Sequence, residues 1–483
     1  MRSRRLWEWV VVGLLGGALL AAGFVGVVFR GQAFAALGLT RDGAPTSLPA
    51  GLLEPPQQSA PPEDDNPEPR PPETGLVAGA VAAEGPKPDP ATLNQKLKAL
   101  DRKKLKGIDD GPPVTVAYEV VDPATGKVVA SSKADKPLIP ASNTKTLTAI
   151  AVLSAFDGSE TFATRVLQPE PGRIVLVGGG DPLLRSVPDT ARPYPRPATT
   201  DELAAATAKA LLAAGQKKVK LGFDASHFDE PGWNETWPSN YRDQVTQLSA
   251  LWVDEGRLAG GGRSRTPAVD AAKTFAAQLK EHGVTVTGEP KKAKPKGDEV
   301  ARVESLPVHV LMETAMNRSN NSFTEIMGLQ LAAHTGHPST FAGAVDAIEE
   351  QLKPLDLWDE GTVLHDASGL SRDNRVTTHT LARAVALVEG DRRLSVILDG
   401  LPTAGVTGTL ADRFEDETSR PARGVARAKT GTLSLVSTLV GTTATADGRP
   451  LAFAFMINGT PDGWAAKVWM DQATGVVAAC GCR

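Results

Sequence analysis

The sequence predicts a fold of the α/β (α+β) class, an antiparallel sheet flanked by helices with a second domain inserted into it. Three observations predict it: β-rich hairpins lie near both ends of the folded region, helix-rich stretches separate them, and short strands alternate with helices over about 162–303. Strands from both ends of a chain are expected to close one sheet, so the middle segment packs as an insertion. The 483 residues suffice for two or three ordinary domains.

The N-terminus predicts export. Three arginines among the first five residues precede an uncharged run from Trp9 to Phe29, which as a helix would span roughly 31 Å, about one hydrocarbon core. This run is longer than the apolar stretch of a cleaved signal peptide, which favours a membrane anchor, whereas Ala33-Phe34-Ala35 offers a cleavage site. Residues 1–36 are therefore expected to be an anchor or a signal peptide. The basic flank places the rest outside the cytoplasm, in the cell envelope, either membrane-anchored or secreted.

Residues 37–92 are predicted to be a disordered tether. Within them, residues 41–90 hold 13 of the 37 prolines, no aromatic residue and an acidic cluster. Such a segment buries too little apolar surface to offset the entropy lost on ordering. We expect an extended linker that holds the folded part away from the membrane.

The folded region is predicted to begin near Ala91. Its main elements, in chain order, are a hairpin of Val114–Val121 and Lys127–Ser132, a helix from about Ser142, a helix Leu203–Ala214 and a strand Val219–Phe223 in the middle segment, helices from Val308, a hairpin of Ser434–Thr445 and Leu451–Asn458, and a helix from about Gly463 to Ala479. We place the main domain at 93–165 and 300–483 and the inserted domain at 166–299.

Composition excludes several classes of function. With 56 acidic and 52 basic residues the net charge is −4, whereas a general nucleic-acid binder needs a strongly basic surface. The two cysteines, Cys480 and Cys482, both lie in the last four residues, which excludes a disulfide scaffold and a cysteine-rich metal site. The seven histidines are scattered, so we expect no metal and no cofactor.

The first motif that can carry chemistry is Ser142-Asn143-Thr144-Lys145. A serine hydroxyl is a poor nucleophile unless a base lies within hydrogen-bond reach. On a helix, Ser142 and Lys145 share one face, and the start of the helix favours developing negative charge at Ser142. Lys145 can act as a base only if burial or a second cation, for which Lys429 is the candidate, lowers its pKa. Alone, the pattern also fits an ordinary helix start with a solvated lysine.

Ser319-Asn320-Asn321 follows the predicted helix Leu311–Asn317. The Ser319 hydroxyl can pass a proton between Lys145 and a departing amine. The Asn321 amide can steady the lysine and bind a backbone carbonyl of a substrate. Ser and Asn are also preferred helix caps, and by itself this motif favours the cap.

The third motif, Lys429-Thr430-Gly431-Thr432, opens the C-terminal hairpin. A strand edge binds an extended peptide, and Gly431 would leave room for its close approach. Lys429 and the hydroxyls of Thr430 and Thr432 can hold a terminal carboxylate. The backbone N–H groups of Ser142 and Thr432 are the natural oxyanion hole.

These three motifs, in this order, resemble the signature of penicillin-binding proteins and serine β-lactamases. The chain is most similar to the D-Ala-D-Ala carboxypeptidase/endopeptidase family typified by penicillin-binding protein 4, which is peptidase family S13 or the class C low-mass penicillin-binding proteins. Val177-Gly178-Gly179-Gly180-Asp181-Pro182-Leu183 and the stretch His365–Asn374 also resemble this family, with Ala367 where glycine is expected. The resemblance covers roughly Pro112 to the C-terminus.

The resemblance implies a serine β-lactamase/DD-peptidase-like fold and an enzyme acting on peptidoglycan stem peptides. It implies that Ser142, Lys145 and Ser319 are catalytic, and that the following residues bind substrate: Asn321, Lys429, Thr430, Gly431 and Thr432. β-Lactam antibiotics would acylate Ser142, and the N-terminal segment would hold the protein at the membrane. The interval of 177 residues between Ser142 and Ser319 exceeds that of a class A β-lactamase and fits the inserted domain of this family.

Two alternatives stay open at this point. A β-lactamase would form the same acyl-enzyme but clear it quickly. A non-catalytic peptidoglycan-binding or β-lactam-sensing protein would keep the groove without turnover. Preference for carboxypeptidase over endopeptidase action is also open. Outside the three motifs, Glu325 is expected to be a solvated helix acid.

Overall fold

The structure, a computed structural model, describes residues 85–109, 111–189, 195–229 and 231–481. The predicted anchor and most of the predicted tether lie outside these residues. Across the described ranges no helix is both long and apolar enough to cross a bilayer. The first helix, α1 (Pro90–Ala99), begins inside the predicted tether, because Pro90 occupies its first turn and the Asp89 side chain caps it by accepting from the Thr92 N–H at 2.8 Å.

Strands from both ends of the folded region form one antiparallel sheet, as predicted. Its strands are β1 (Thr115–Asp122), β2 (Lys127–Ser132), β9 (Arg427–Leu433), β10 (Val436–Ala444) and β11 (Pro450–Asn458). Their order in the sheet is β2-β1-β11-β10-β9, and Thr115 of β1 pairs with Asn458 of β11. Both predicted hairpins are confirmed, and the third motif lies on β9, at an edge of the sheet.

Helices cover both faces of this sheet. β11 is apolar along nearly its whole length, as expected of a strand buried on both sides. Its Ala452, Ala454 and Met456 belong to the core shared with the central helices, whereas Phe453 and Phe455 belong to the core beneath the last helix. The helices that follow α1 are α2 (Thr144–Ala155), α3 (Thr200–Ala213), α4 (Pro267–Glu281), α5 (Val308–Arg318), α6 (Asn321–Thr335), α7 (Phe341–Leu352), α8 (Thr378–Gly390), α9 (Ser395–Asp399) and α10 (Gly463–Ala478).

The middle segment forms a second sheet of its own. Its strands are β3 (Ala163–Glu170), β4 (Arg173–Val177), β5 (Lys218–Asp224), β6 (Thr285–Val286), β7 (Lys291–Lys292) and β8 (Asp298–Glu304). Their order in the sheet is β6-β5-β4-β3-β8, with β7 paired to β5, and β4 and β5 are parallel. Because β3 pairs with β8 from Ala163 to Glu304, the chain enters and leaves the insertion side by side, a few residues beyond the predicted limits of 166–299.

The stretch from Val177 to Leu183, which contains three consecutive glycines, joins this insertion to α6. Gly180 adopts a left-handed conformation with φ of +78°. The Gln330 side chain of α6 donates to the carbonyl oxygens of Gly179 at 2.7 Å and Gly180 at 3.0 Å. A Cβ at position 180 would lie 2.4 Å from Gln330 Nε2, so glycine is required both by the turn and by the packing. The helix that begins next to the second motif is thereby fixed against the insertion.

Candidate active site

Ser142 lies in a 3₁₀ turn, Ala141–Asn143, immediately before α2. The α-helix begins two residues later than predicted, and Ala141 takes a left-handed φ of +48°. β10 holds the turn in place, because Thr438 Oγ1 donates to the Pro140 carbonyl at 2.9 Å and Asn143 Nδ2 donates to Thr438 Oγ1 at 2.6 Å. Ser142 therefore lies in a strained turn, and hydrogen bonds with β10 stabilise this turn.

Lys145 is completely buried and makes three hydrogen bonds. Its Nζ lies 3.1 Å from Ser142 Oγ, 2.7 Å from Asn321 Oδ1 and 2.6 Å from the Ser368 carbonyl oxygen. Burial lowers the pKa of Lys145 to about 8, while the charges of Asp366 and Glu325 act to raise it. A buried amine with such a pKa can release its proton near neutral pH, as a general base for serine must.

The second motif is the junction between α5 and α6. Ser319 ends α5 in the left-handed conformation, with φ of +48°, and Asn320 caps α6 by accepting from the Phe323 N–H at 3.2 Å. The cap expected from the sequence is therefore present, and it is Asn320. Its two neighbours face the lysines instead: Asn321 accepts from Lys145, and Ser319 Oγ lies 2.6 Å from Lys429 Nζ.

Lys429 is a second buried lysine, on β9. Its Nζ also donates to the Thr430 carbonyl oxygen at 2.8 Å. Burial, and then the charge of Lys145, lowers the pKa of Lys429 well below its usual value. The sequence-based expectation was that burial and a second cation, for which Lys429 was the candidate, would lower the pKa of Lys145. In the structure burial does so, and the repulsion between the two ammonium groups acts on Lys429.

A cleft of about 530 Å³ joins the three motifs. It is lined by Ser142, Asn240, Tyr241, Asp243, Gln244, Ser319, Asn321, Leu370, Thr430, Thr432, Leu433 and Ser434. Two buried lysines lie beneath this lining, and each contacts a lining serine. The inserted segment contributes four of the lining residues, which sequence reasoning did not identify.

Gly431 does not line the cleft. A Cβ at this position would lie 2.2 Å from Thr438 Oγ1 and 2.9 Å from the Pro140 carbonyl oxygen. The space that the missing side chain leaves is therefore filled by Thr438 of β10 and by the chain that leads into the turn of Ser142. This glycine permits the close approach between β9 and the first motif, and its contact with a substrate stays a prediction.

The stretch His365–Asn374 forms a loop behind Lys145. Asp366 is buried and accepts from the N–H groups of Gly369 at 2.9 Å and Ser371 at 2.6 Å, and its remaining bonds come from Asn374 and Trp237, both at 2.8 Å. The left-handed residue of this loop is Gly369, with φ of +84°. Alanine is therefore tolerated at 367, where the family resemblance led us to expect glycine.

Glu325, expected to be a solvated helix acid, is buried with 1% of its surface exposed. Its carboxylate accepts from the backbone N–H groups of Ala367 at 3.2 Å and Ser368 at 2.8 Å. Burial, together with the charge of Asp366, raises the pKa of Glu325 to about 8. A signal was present in the sequence, since apolar residues of α6 lie on more than one helix face around Glu325 (Phe323, Ile326, Met327 and Leu329), which is typical of a buried helix.

Comparison with known proteins identifies the family. Residues 106–260 and 259–479 match the model of the D-Ala-D-Ala carboxypeptidase 3 (S13) family. The chain belongs to this family. A carboxypeptidase of Mycobacterium tuberculosis is 34% identical over 444 residues, which cover 86% of this chain and 90% of that protein. Carboxypeptidase DacB of Mycolicibacterium smegmatis is 31% identical over 433 residues, covering 85% and 93%.

A solved structure supports the fold. The crystal structure of penicillin-binding protein 4 from Haemophilus influenzae superposes on this S13 chain with a TM-score of 0.65 at 19% sequence identity, covering 80% of this chain and 98% of that one. The predicted fold class and the predicted family are both confirmed. The enzyme is a D-Ala-D-Ala carboxypeptidase, a hydrolase of the serine type.

Proposed function

We propose that this S13 enzyme removes the terminal D-Ala from peptidoglycan stem peptides through an acyl-enzyme on Ser142. The observation that carries the proposal is the 3.1 Å contact between Ser142 Oγ and the buried Nζ of Lys145, an amine whose pKa is lowered to about 8. Serine becomes a nucleophile when such a base removes its proton.

The reaction begins when neutral Lys145 takes the proton of Ser142. Ser142 Oγ then bonds to the carbonyl carbon of the penultimate D-Ala, and the backbone N–H groups of Ser142 and Thr432 stabilise the oxyanion. The C–N bond breaks, and Lys145 passes the proton that it took to the departing amine through the Ser319 hydroxyl, which contacts Lys429 at 2.6 Å. Lys145, again neutral, then takes a proton from water as the water oxygen attacks the ester carbonyl carbon. The C–O bond to Ser142 breaks, Lys145 gives this proton to Ser142 Oγ, and the peptide leaves with a free carboxyl group.

Substrate binding is assigned to the cleft edge formed by β9. A peptide that lies extended along this edge strand reaches the side chains of Thr430 and Thr432, which line the cleft. Lys429 lies beneath this edge, where a bound terminal carboxylate favours its charged form and offsets the burial that lowers its pKa, and Asn321 can donate to a backbone carbonyl. If the departing amine is free D-Ala the enzyme acts as a carboxypeptidase; if it belongs to a cross-linked side chain, the same steps make it an endopeptidase.

We also propose that penicillin acylates Ser142. The solved penicillin-binding protein 4 of Haemophilus influenzae has been captured in complex with a β-lactam, and it superposes on this chain with a TM-score of 0.57. Because the substrate lies in the cell wall, the enzyme is placed in the cell envelope. Attachment to the membrane through the N-terminus stays a prediction, since that segment lies outside the described residues.

Release of D-Ala from a diacylated tripeptide ending in D-Ala-D-Ala tests the proposal. The full chain is expected to release one D-Ala per peptide, with no release from the same peptide ending in D-Ala-L-Ala. Ser142→Ala should release none. Turnover that survives in Ser142→Ala, or binding of the peptide without any release, would contradict the proposed mechanism.

The pH dependence of kcat/KM tests the environment of Lys145. Activity requires neutral Lys145, so it rises with pH through the pKa of this lysine in the free enzyme, at about 8. The charged groups that act on Lys145 are Asp366 in the loop and Glu325 on α6, which both raise its pKa, and it faces Lys429 on β9. The pKa of Glu325 is itself about 8, so its charge acts on Lys145 only near the top of the acid limb. Glu325→Gln removes this charge, so the upper part of the acid limb should move to lower pH.

The same substitution should also lower the maximum rate, because a glutamine cannot accept from both N–H groups that Glu325 holds. Glu119→Gln is the matched control, since Glu119 is equally buried but pairs with His379 on α8. It should leave the acid limb unmoved. An acid limb that stays in place in Glu325→Gln would refute the electrostatic role.

A further inference from the structure

The inserted segment carries a buried carboxylate, that of Glu255, which contacts the second motif. Asp254 and Glu255 both take left-handed conformations, with φ of +51° and +57°. Neither residue is a glycine, so the turn is strained and must be held by its contacts. Glu255 is 1% exposed, and its carbonyl oxygen accepts from Thr246 Oγ1 at 2.7 Å.

The side chain of Glu255 contacts the residues on either side of Ser319. One carboxylate oxygen pairs with the guanidinium of Arg318, and the other accepts from the side-chain amide of Asn320. Both bonds are charge-assisted, and a buried carboxylate holds such partners strongly. The backbone of Ser319, itself left-handed, is thus fixed from both sides.

Further contacts from the insertion continue along the same motif. Asn321 Nδ2 donates to the Gln244 carbonyl oxygen at 3.1 Å, and the Thr246 N–H donates to Ser322 Oγ at 2.9 Å. The residues at 318, 320, 321 and 322 thus contact the inserted segment, whereas the Ser319 side chain between them contacts Lys429.

We infer that Glu255 is a positioning residue for Ser319, through which the inserted segment sets the geometry of the proton relay to the departing amine. The inference rests on the proposed role of Ser319. It also explains a departure of this sequence from the common motif, in which aspartate occupies position 320. An aspartate there would place a second carboxylate against buried Glu255, whereas the Asn320 amide donates to it.

Exchanging the two side chains tests this pairing. Asn320→Asp should lower kcat for D-Ala release by about 100-fold, because a carboxylate at the half-buried position 320 then faces the buried carboxylate of Glu255. Glu255→Gln should lower kcat by about tenfold. In the double variant the new amide at position 255 can donate to the new carboxylate at position 320 and accept from Arg318, so kcat should return to within about fivefold of the wild type. KM should change by less than about threefold throughout, since Ser319 acts on the departing amine.

Stability is followed on the same proteins. Asp471→Asn is the matched control, because Asp471 forms a buried ion pair with Arg413 at 2.6 Å on α10, away from the cleft. It should lower the unfolding temperature while kcat stays within about twofold of the wild type.

Failure of the inference is distinct from failure of the proposed function. If Ser142→Ala is inactive but the double variant is less than tenfold faster than Asn320→Asp, the pairing does not position Ser319. The inference is also overturned if kcat falls in Asp471→Asn as it does in Glu255→Gln, because the loss then follows stability. If Ser142→Ala keeps its turnover, the proposed function itself is wrong.

Discussion

Replacing Lys145 by methionine is expected to reduce kcat/KM for D-Ala release by about 10⁴-fold. Methionine fills most of the space of the lysine stem, but it provides no base for the Ser142 hydroxyl. It also leaves Asn321 Oδ1 and the Ser368 carbonyl without the donor that they share in the wild type. Steady-state kinetics on the tripeptide measure the effect, with each rate divided by the concentration of intact protein.

A second substitution at the same position separates charge from basicity. Lys145→Arg keeps the positive charge, but arginine does not lose its proton in proteins, so this variant should be as inactive as Lys145→Met. Lys136→Met is the control, because Lys136 donates to Thr115 Oγ1 at 3.1 Å away from the cleft, and it should retain full activity. An arginine variant with more than a tenth of wild-type activity would show that Lys145 does not act as the base.

Ser319→Ala is expected to lower kcat for the peptide by about 10²- to 10³-fold. The substitution removes the hydroxyl that lies 2.6 Å from Lys429 Nζ and so interrupts proton transfer to the departing amine. An ester leaving group departs with less need for a proton. For a substrate whose last residue is joined through an ester, such as D-lactate in place of D-Ala, the kcat of Ser319→Ala should therefore fall only about tenfold.

The comparison between amide and ester substrates distinguishes a proton relay from a merely structural role. Ser154→Ala is the control, since Ser154 Oγ donates to the Ile150 carbonyl at 2.7 Å within α2, and both substrates should be unaffected. Equal losses for the amide and the ester in Ser319→Ala would contradict the relay.

The parts of this fold that were predictable are those governed by local patterns. Alternating β-rich runs around Asp122–Gly126 and before Leu451 mark the two hairpins, and these form as predicted. The three motifs could be found because serine, lysine and glycine occur in them at short fixed spacings. Lys145 contacts Asn321, which lies 176 positions away in the sequence, and Lys429 contacts Ser319, which lies 110 positions away. The sheet formed by strands from both ends of the folded region, together with the helices packed on it, brings these residues together.

The remaining features depend on tertiary packing that no local pattern records. The close approach of Gly431 to Thr438 and Pro140 joins three segments that lie far apart in the sequence. Glutamate usually lies at the surface, yet Glu325 and Glu255 are both buried. Each accepts hydrogen bonds from a segment that is distant in the sequence, which local patterns do not show. The three motifs were therefore recognisable in the sequence, whereas the buried acids that contact them were not.

The central claim is that Ser142 forms the covalent intermediate, and mass spectrometry of the full chain after incubation with penicillin tests it most directly. The account predicts a mass increase equal to one penicillin molecule, carried by the proteolytic peptide that contains Ser142 and absent from Ser142→Ala. An adduct on any other residue, or an equal adduct on Ser142→Ala, would contradict it.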